Sequence, residues 1–502
     1  MFKLAECRKK RKQLKRVKRS IDMKHLLLGI VLVTLSATAD DAVDKRIERV
    51  VSGLLPDSPF RNQFEPKASL KERMAYFHTP GVSIAVVNDY RIEWARGFGV
   101  KQWGKSAPVT EETLFQAGSV SKPTFALAVM RLEQEGRLDL DRDVNDYLKS
   151  WKIRANDSWQ PRVTLRQLLS HTAGLTVHGF PGYLRTDKIP TVPQLLSGEA
   201  PANTSAVLVN IMPGTQLRYS GGGTTVAQLM VTEHIGKPFP DIMREVLFER
   251  VGMKQSTYEQ PLPKRWHKDA AVAHPSQYRP VVGGWHVYPE MAAAGLWTTP
   301  SDLARAGIDL QLALTGETNR LLTPEQAKRM LNPGINDAIG IGYFLAGKGK
   351  TQRFTHGGWD EGFVTQMTMY REGGKGAVIM INSNEGNPLL PEIERAIARE
   401  YGWRDYFPEE KETITLDPKL AETYAGDYFG EGLEFTLLNE RGKLLLKAAG
   451  QRPLELHAES ETNFISKVLN LEIRMKRDAD GGVKGFTFDQ DGQKTQVKRR
   501  GS

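Results

Sequence analysis

Ser119 and Lys122 stand three residues apart in the stretch FQAGSVSKPT, residues 115–124. On a helix that spacing puts both side chains on one face. A serine hydroxyl is a weak nucleophile until an adjacent base takes its proton, and a desolvated lysine is one such base. Pro123 follows, and then a largely apolar run, FALAVMRL. Proline is tolerated in the first helical turn, where the N–H groups have no intrahelical partner. The pattern predicts a helix that begins near Ser119 or Val120, is buried nearly all round and stops at Glu135-Gly136. Such a start sets Ser119 at the positive end of the helix dipole, which favours developing negative charge. The same position suits an ordinary N-capping serine. With 22 serines in the chain, Ser-x-x-Lys is expected about once by chance, and it occurs once. The pair alone does not separate a nucleophile from a cap.

Further stretches change the balance. They are LLSHTAGL (168–175), PGTQLRYSGGG (213–223), AAAGLWTTPSDLARA (292–306), and THGGWDEGF (355–363) with the strand pair after it. With FQAGSVSK, and in this order over about residues 45–403, they resemble the penicillin-recognising serine hydrolases. The resemblance is nearest to the class C β-lactamases and their D-aminopeptidase and esterase relatives. It implies that Ser119 is the acyl-accepting nucleophile and Lys122 its base. Tyr219 stands where the family has the tyrosine of Tyr-x-Asn and would relay a proton to the leaving group. His356-Gly357-Gly358 stands where the family has Lys-Thr-Gly or His-x-Gly. The backbone N–H groups of Ser119 and Trp359 would form the oxyanion hole, and Ser220, Gly221, His356, Gly357 and Gly358 would border the substrate. The resemblance implies neither a metal nor an organic cofactor.

Two departures bear on the substrate. Gly221 replaces the family's asparagine, so the amide that holds a substrate's side-chain carbonyl is missing. Gly357 replaces a hydroxyl residue, which removes a donor for a substrate carboxylate. Both point away from efficient β-lactam hydrolysis and towards a roomier site for small-molecule or peptide esters and amides. A β-lactamase or D-Ala-D-Ala carboxypeptidase is the alternative, with β-lactams or D-amino-acid peptides as substrates. A penicillin-binding or scaffold protein with little turnover is the other. His356 keeps a cationic option, partly ionised at neutral pH. Ser170-His171 reads as structural, since sequence neighbours seldom face the same way. Trp285, His286 and Trp359 either line a rim or pack.

Other chemistries find no support. Gly97, Gly99 and Gly104 make no dinucleotide fingerprint, and there is no P-loop, no His-Glu-x-x-His and no zinc-type spacing. The 502-residue chain carries a formal charge of +10. Residues 1–39 hold 11 Lys and Arg against Glu6 and Asp22, so the body is close to neutral and presents no nucleic-acid footprint. The leader has its own reading: residues 1–22 are an extended basic segment, and 23–39 resemble a secretory signal peptide. Lys24 precedes an apolar run, Leu26 to Leu35, too short for the roughly 20 residues of a membrane span, and Ala37-Thr38-Ala39 is a small-residue cleavage site. A cut after Ala39 would give a periplasmic or secreted product starting at Asp40, with no membrane anchor. It would also remove Cys7, the only cysteine, and with it any disulfide or thiol chemistry.

The elements that must position these residues follow from periodicity. VDKRIERVVSGLL reads as a surface helix, and 81–100 as two strands around an Asn88-Asp89 turn. Residues 123–345 read as mostly helical; strands return over 352–382, and PLLPEIERAIAREYGW closes as a helix. This order predicts an α+β fold of the β-lactamase/transpeptidase kind over 40–406: an antiparallel sheet built from both ends of the domain around an inserted helical region. A linker is expected over 407–418. About eight short alternating strands over 419–502 predict a small antiparallel, lipocalin-like barrel whose residues show no catalytic set. Oligomeric state is left open.

Overall fold

In the computed structural model the chain is described over residues 41–54, 68–335, 337–403, 406, 412–430, 433–448, 453–466, 471–490 and 493–501. The basic leader, the expected signal peptide with its cut after Ala39, Cys7, and 407–411 of the expected linker lie outside these residues.

The early hairpin forms β1 (Gly81–Asn88) and β2 (Arg91–Gly99). Its turn falls on Asp89-Tyr90, one residue later than expected, and both residues have left-handed φ, 54° and 57°. Turns of this hand match the twist of paired strands. Two short strands, β3 (Phe115–Gln116) and β4 (Trp297–Thr298), pair with each other. The later strands are β5 (Phe344–Ala346), β6 (Arg353–Asp360), β7 (Phe363–Tyr370) and β8 (Gly376–Ile381). They join the hairpin in one antiparallel sheet of order β2-β1-β8-β7-β6-β5, so both ends of the domain do build it.

Both sheet faces are covered. Along β8, Ala377, Ile379 and Ile381 pack with the helix Leu389–Glu400 and with Ile47 and Val50 of the helix over 41–51. Val378 and Met380 face the opposite way, into the large core of the helical region. Alternate side chains leave a strand on opposite sides, which is why every residue of β8 is buried. Arg73, in the helix Leu70–Tyr76, ties that helix to Leu389–Glu400, donating to Glu392 at 2.7 and 2.5 Å.

The inserted region is less helical than its pattern suggested. The helices Ser121–Gln134 and Gly221–Ile235 are long, but residues 138–163 and 198–220 are mostly irregular. Gly198, Pro201, Pro213 and Gly214 interrupt the second stretch, and in both the backbone groups bond across loops instead of along a helix.

At the C-terminus, eight strands close an all-antiparallel barrel: β9 (Gly426–Gly430), β10 (Leu433–Glu440), β11 (Lys443–Ala448), β12 (Leu454–Ala458), β13 (Asn463–Ser466), β14 (Leu471–Arg477), β15 (Val483–Gln490) and β16 (Gln493–Arg499). Side chains fill it, among them Tyr428, Phe435, Phe464, Ile473 and Phe486. Part of the stretch expected to be linker joins it: Leu416 enters the barrel core, and the Ile414 N–H donates to the Ala458 carbonyl at 2.8 Å.

Candidate active site

The turn that carries Ser119 is fixed before its helix begins. Gly118–Val120 form a single 3-10 turn, and the α-helix starts at Ser121. Upstream, β3 pairs with β4, and the Ala117 N–H donates to the Leu296 carbonyl at 2.9 Å. Downstream, the Ser121 hydroxyl accepts from the Leu296 N–H at 3.1 Å, and its carbonyl accepts from the Tyr258 hydroxyl at 2.7 Å. The capping position belongs to Val120, with no side-chain cap. The Ser119 hydroxyl is therefore no N-cap; its partner is Lys122, whose Nζ lies 2.9 Å away.

Lys122 is 4% exposed, and its Nζ also donates to the Ala293 carbonyl at 2.7 Å. That contact gives AAAGLW its part in the site: the short helix Met291–Ala294 offers a carbonyl that holds the amine in place. Lys122 also lies over the Tyr219 ring, 5.0 Å from its centroid. Ser119 with Lys122, the Ala293 carbonyl and Tyr219 thus converge from three separate stretches.

Tyr219 immediately precedes the helix Gly221–Ile235 and sits among imidazoles. Its ring centroid is 4.3 Å from that of His171, 4.7 Å from His178 and 6.2 Å from His356. The His171 Nδ1 accepts from the Ser220 N–H at 3.2 Å, so this buried histidine orients the backbone beside Tyr219. Burial pushes its basicity well down, with the Lys122 charge adding to the effect. The sequence reading of His171 as structural agrees with that role. Ser220 does not present its hydroxyl to a substrate as expected. The residue is 4% exposed, and its Oγ donates to the Thr176 carbonyl at 2.7 Å and accepts from the Gly223 N–H at 2.9 Å, capping the helix.

His356 departs from expectation in charge. It lies in β6, 2% exposed, with Nδ1 2.6 Å from the Gly357 carbonyl oxygen. Burial, then Lys122, pushes its pKa down to about 3. The ring is neutral at physiological pH, so the cationic option read from the sequence is lost.

Beyond Thr355, β6 has no partner in β5 and runs instead against the nucleophile turn. The approach is backbone to backbone. A Cβ at Gly118 would lie 2.4 Å from the Trp359 nitrogen; one at Gly358 would lie 2.0 Å from the Ala117 oxygen and 3.2 Å from the Ser119 nitrogen. Only glycine at both positions lets the N–H groups of Ser119 and Trp359 border one small space, which is what an oxyanion hole requires. Trp359 itself is 52% exposed at the rim, whereas Trp285 is buried against Trp297.

Two acids that the sequence reading passed over lie behind this wall. Glu290 and Asp360 are 0% and 2% exposed, and among the described residues no side chain pairs with either carboxyl. Burial raises Glu290 to about 8 and Asp360 well above the usual carboxylate range. Held neutral, they add no negative charge beside a developing oxyanion.

Two outcomes are expected. Gly358→Ala drives a methyl into backbone and lowers kcat/KM by about 100-fold or more, the scale of a lost oxyanion donor. Gly357→Ala, whose Cβ would meet nothing nearer than Gln366 Oε1 at 3.3 Å, stays within a few-fold of wild type; equal losses in steady-state kinetics would contradict the close-approach account. The second concerns pH. The folded pKa of Glu290, about 8, exceeds its ordinary value of 4.5, so the native state binds the extra proton and stability falls as pH rises between those values. Glu290→Gln removes that loss. Denaturant titrations should find it more stable than wild type at pH 8, by on the order of 1–4 kcal/mol, and equal at pH 4.5. The same difference at both pH values would refute the burial argument.

Comparison with known proteins agrees with this geometry. A profile of the family described as Beta-lactamase matches residues 67–401, more than half of the chain. Over 473 residues the chain is 23% identical to penicillin-binding protein 4* of Bacillus subtilis, covering 88% of this chain and 99% of that protein. It is 28% identical over 213 residues to esterase EstB of Burkholderia gladioli, covering 40% of this chain and 52% of the esterase. Among solved structures, the octameric penicillin-binding protein homologue from Pyrococcus abyssi matches with a TM-score of 0.58 at 20% identity, over 86% of this chain and 98% of that one. At that identity the likeness speaks for the fold. The chain belongs to the beta-lactamase family, whose members are serine hydrolases.

Proposed function

We propose that the protein is an exported serine hydrolase that cleaves an ester or amide through an acyl-enzyme on Ser119. The observation that carries this is the buried Lys122 amine, 2.9 Å from the Ser119 hydroxyl and anchored on the Ala293 carbonyl. With one N–H held by the Ala293 carbonyl, the Lys122 amine is placed to take the Ser119 proton once it has given up its own. Ser119 Oγ attacks the substrate carbonyl carbon while its proton passes to Lys122. The oxyanion is held by the Ser119 and Trp359 N–H groups. Collapse breaks the bond to the leaving oxygen or nitrogen, which takes the proton back by way of the Tyr219 phenol. Water then attacks the acyl ester by the same route in reverse, releasing the acid and restoring Ser119.

The preference for esters and simple amides over β-lactams rests on Gly221 and Gly357 and is reinforced by His356. A neutral imidazole offers a substrate carboxylate no cation. Export rests on the apolar run before Ala37-Thr38-Ala39. Among the described residues no helix is long and apolar enough to cross a membrane.

On p-nitrophenyl butyrate, D-alanine p-nitroanilide and a chromogenic cephalosporin, turnover should fall in that order. Ser119→Ala should lose about 1,000-fold or more, and Lys122→Ala about 100-fold or more, with unchanged circular dichroism. Cephalosporin as the best substrate would favour the β-lactamase alternative, and no turnover of any substrate would leave the scaffold reading. Mass spectrometry of the exported protein should find Asp40 as its first residue; a Cys7 peptide in that fraction would contradict the cleavage.

A further inference from the structure

The two glycines that depart from the family's pattern are not alike. A Cβ at Gly357 would meet nothing nearer than the flexible end of Gln366, at 3.3 Å, whereas one at Gly221 would meet backbone as well as a ring, both at 3.0 Å. A Cβ at Gly221 would point at the Phe180 ring, 3.0 Å from Cε2 and 3.5 Å from Cδ2, and would lie 3.0 Å from the His178 carbonyl oxygen. The ring thus stands where an asparagine side chain would extend, two residues after Tyr219.

Phe180 is held there by the segment that carries it. The Gly221 and Gly222 N–H groups, the first of their helix, donate to the His178 and Val177 carbonyls, each at 3.0 Å. Val177 has φ 62°, a region that β-branched residues rarely occupy, and it persists because these bonds and the Ser220–Thr176 bond determine the segment from both sides. At the far end the Pro181 carbonyl lies 2.9 Å from His286 Nδ1. The first N–H groups of the helix are therefore taken by protein carbonyls, and the Phe180 ring lies against Gly221, two residues from Tyr219.

We propose that Phe180 is a specificity-determining residue: it replaces the missing amide as the wall of the acyl pocket and selects acyl groups carrying an apolar or aryl side chain over those presenting an amide carbonyl. This rests on the acyl-enzyme reading of Ser119. An acylamino substrate would set a carbonyl oxygen against the ring with no donor and lose its water without compensation. An arylacetyl group meets the ring as a favourable aromatic contact.

The test uses three matched p-nitrophenyl esters, acetate, phenylacetate and hippurate, with kcat/KM measured for wild type and variants. The wild type should prefer phenylacetate to hippurate. Phe180→Ala should lower the phenylacetate-to-acetate ratio by about tenfold. Phe180→Leu, which keeps the apolar bulk and guards against a folding defect, should hold that ratio within about threefold of wild type. Gly221→Asn alone, forced against the ring, should lose activity on all three esters, and the double variant Phe180→Ala/Gly221→Asn should raise the hippurate-to-phenylacetate ratio by about tenfold or more. Unchanged ratios in Phe180→Ala, in protein that a fluorophosphonate still labels on Ser119, overturn the role of Phe180 and leave the hydrolase intact. Absence of both labelling and turnover in the wild type overturns the hydrolase reading, and this proposal with it.

Discussion

An amine buried against a serine hydroxyl is the contact on which the rest of this site depends. Lysine is seldom buried, and it stays buried here because its amine has partners: Ser119 Oγ at 2.9 Å, the Ala293 carbonyl at 2.7 Å and the face of Tyr219. Charges added nearby would disturb it, and burial keeps four titratable groups around it neutral. His171 and His356 are held well below the usual imidazole range, and Glu290 and Asp360 well above the usual carboxylate range. These four groups therefore add no charge beside the Ser119 hydroxyl, the Lys122 amine and the Tyr219 phenol.

Backbone geometry makes that pocket reactive. The free end of β6 comes against the 3-10 turn only because Gly118 and Gly358 lack side chains. The sheet fixes β6 through eight paired positions with β7, and the β3–β4 ribbon fixes the turn. Two independent frames therefore meet at a backbone contact, and the backbone N–H groups of Ser119 and Trp359 are positioned before any substrate arrives. Such preorganisation lets the N–H dipoles act without rearrangement during reaction.

The sheet built from both chain ends, the closed C-terminal barrel and the grouping of Ser119, Lys122, Tyr219 and His356 were legible because each leaves a local mark: alternation, turn residues, or a motif in a fixed order. What was not legible depends on tertiary surroundings. His356 looked partly cationic because its burial cannot be seen from HGG. Ser220 looked like a substrate contact because its bond to Thr176 joins residues 44 apart. Glu290 lies in no motif and Asp360 sits in THGGWDEGF with no role there, and burial dominates the neutrality of both. Gly221 read as a loss, but Phe180, from a proline- and glycine-rich loop with no periodicity, fills the space. The helical region was over-read because apolar spacing was counted where loop hydrogen bonds carry the chain.

The central claim is that Lys122 activates Ser119. It is tested most directly by the rate at which a fluorophosphonate modifies the protein, followed by intact mass and peptide mapping. The account predicts one adduct, on Ser119, formed about 100-fold or more slowly in folded Lys122→Ala than in wild type. An adduct on another serine, or equal rates in the two proteins, would contradict it.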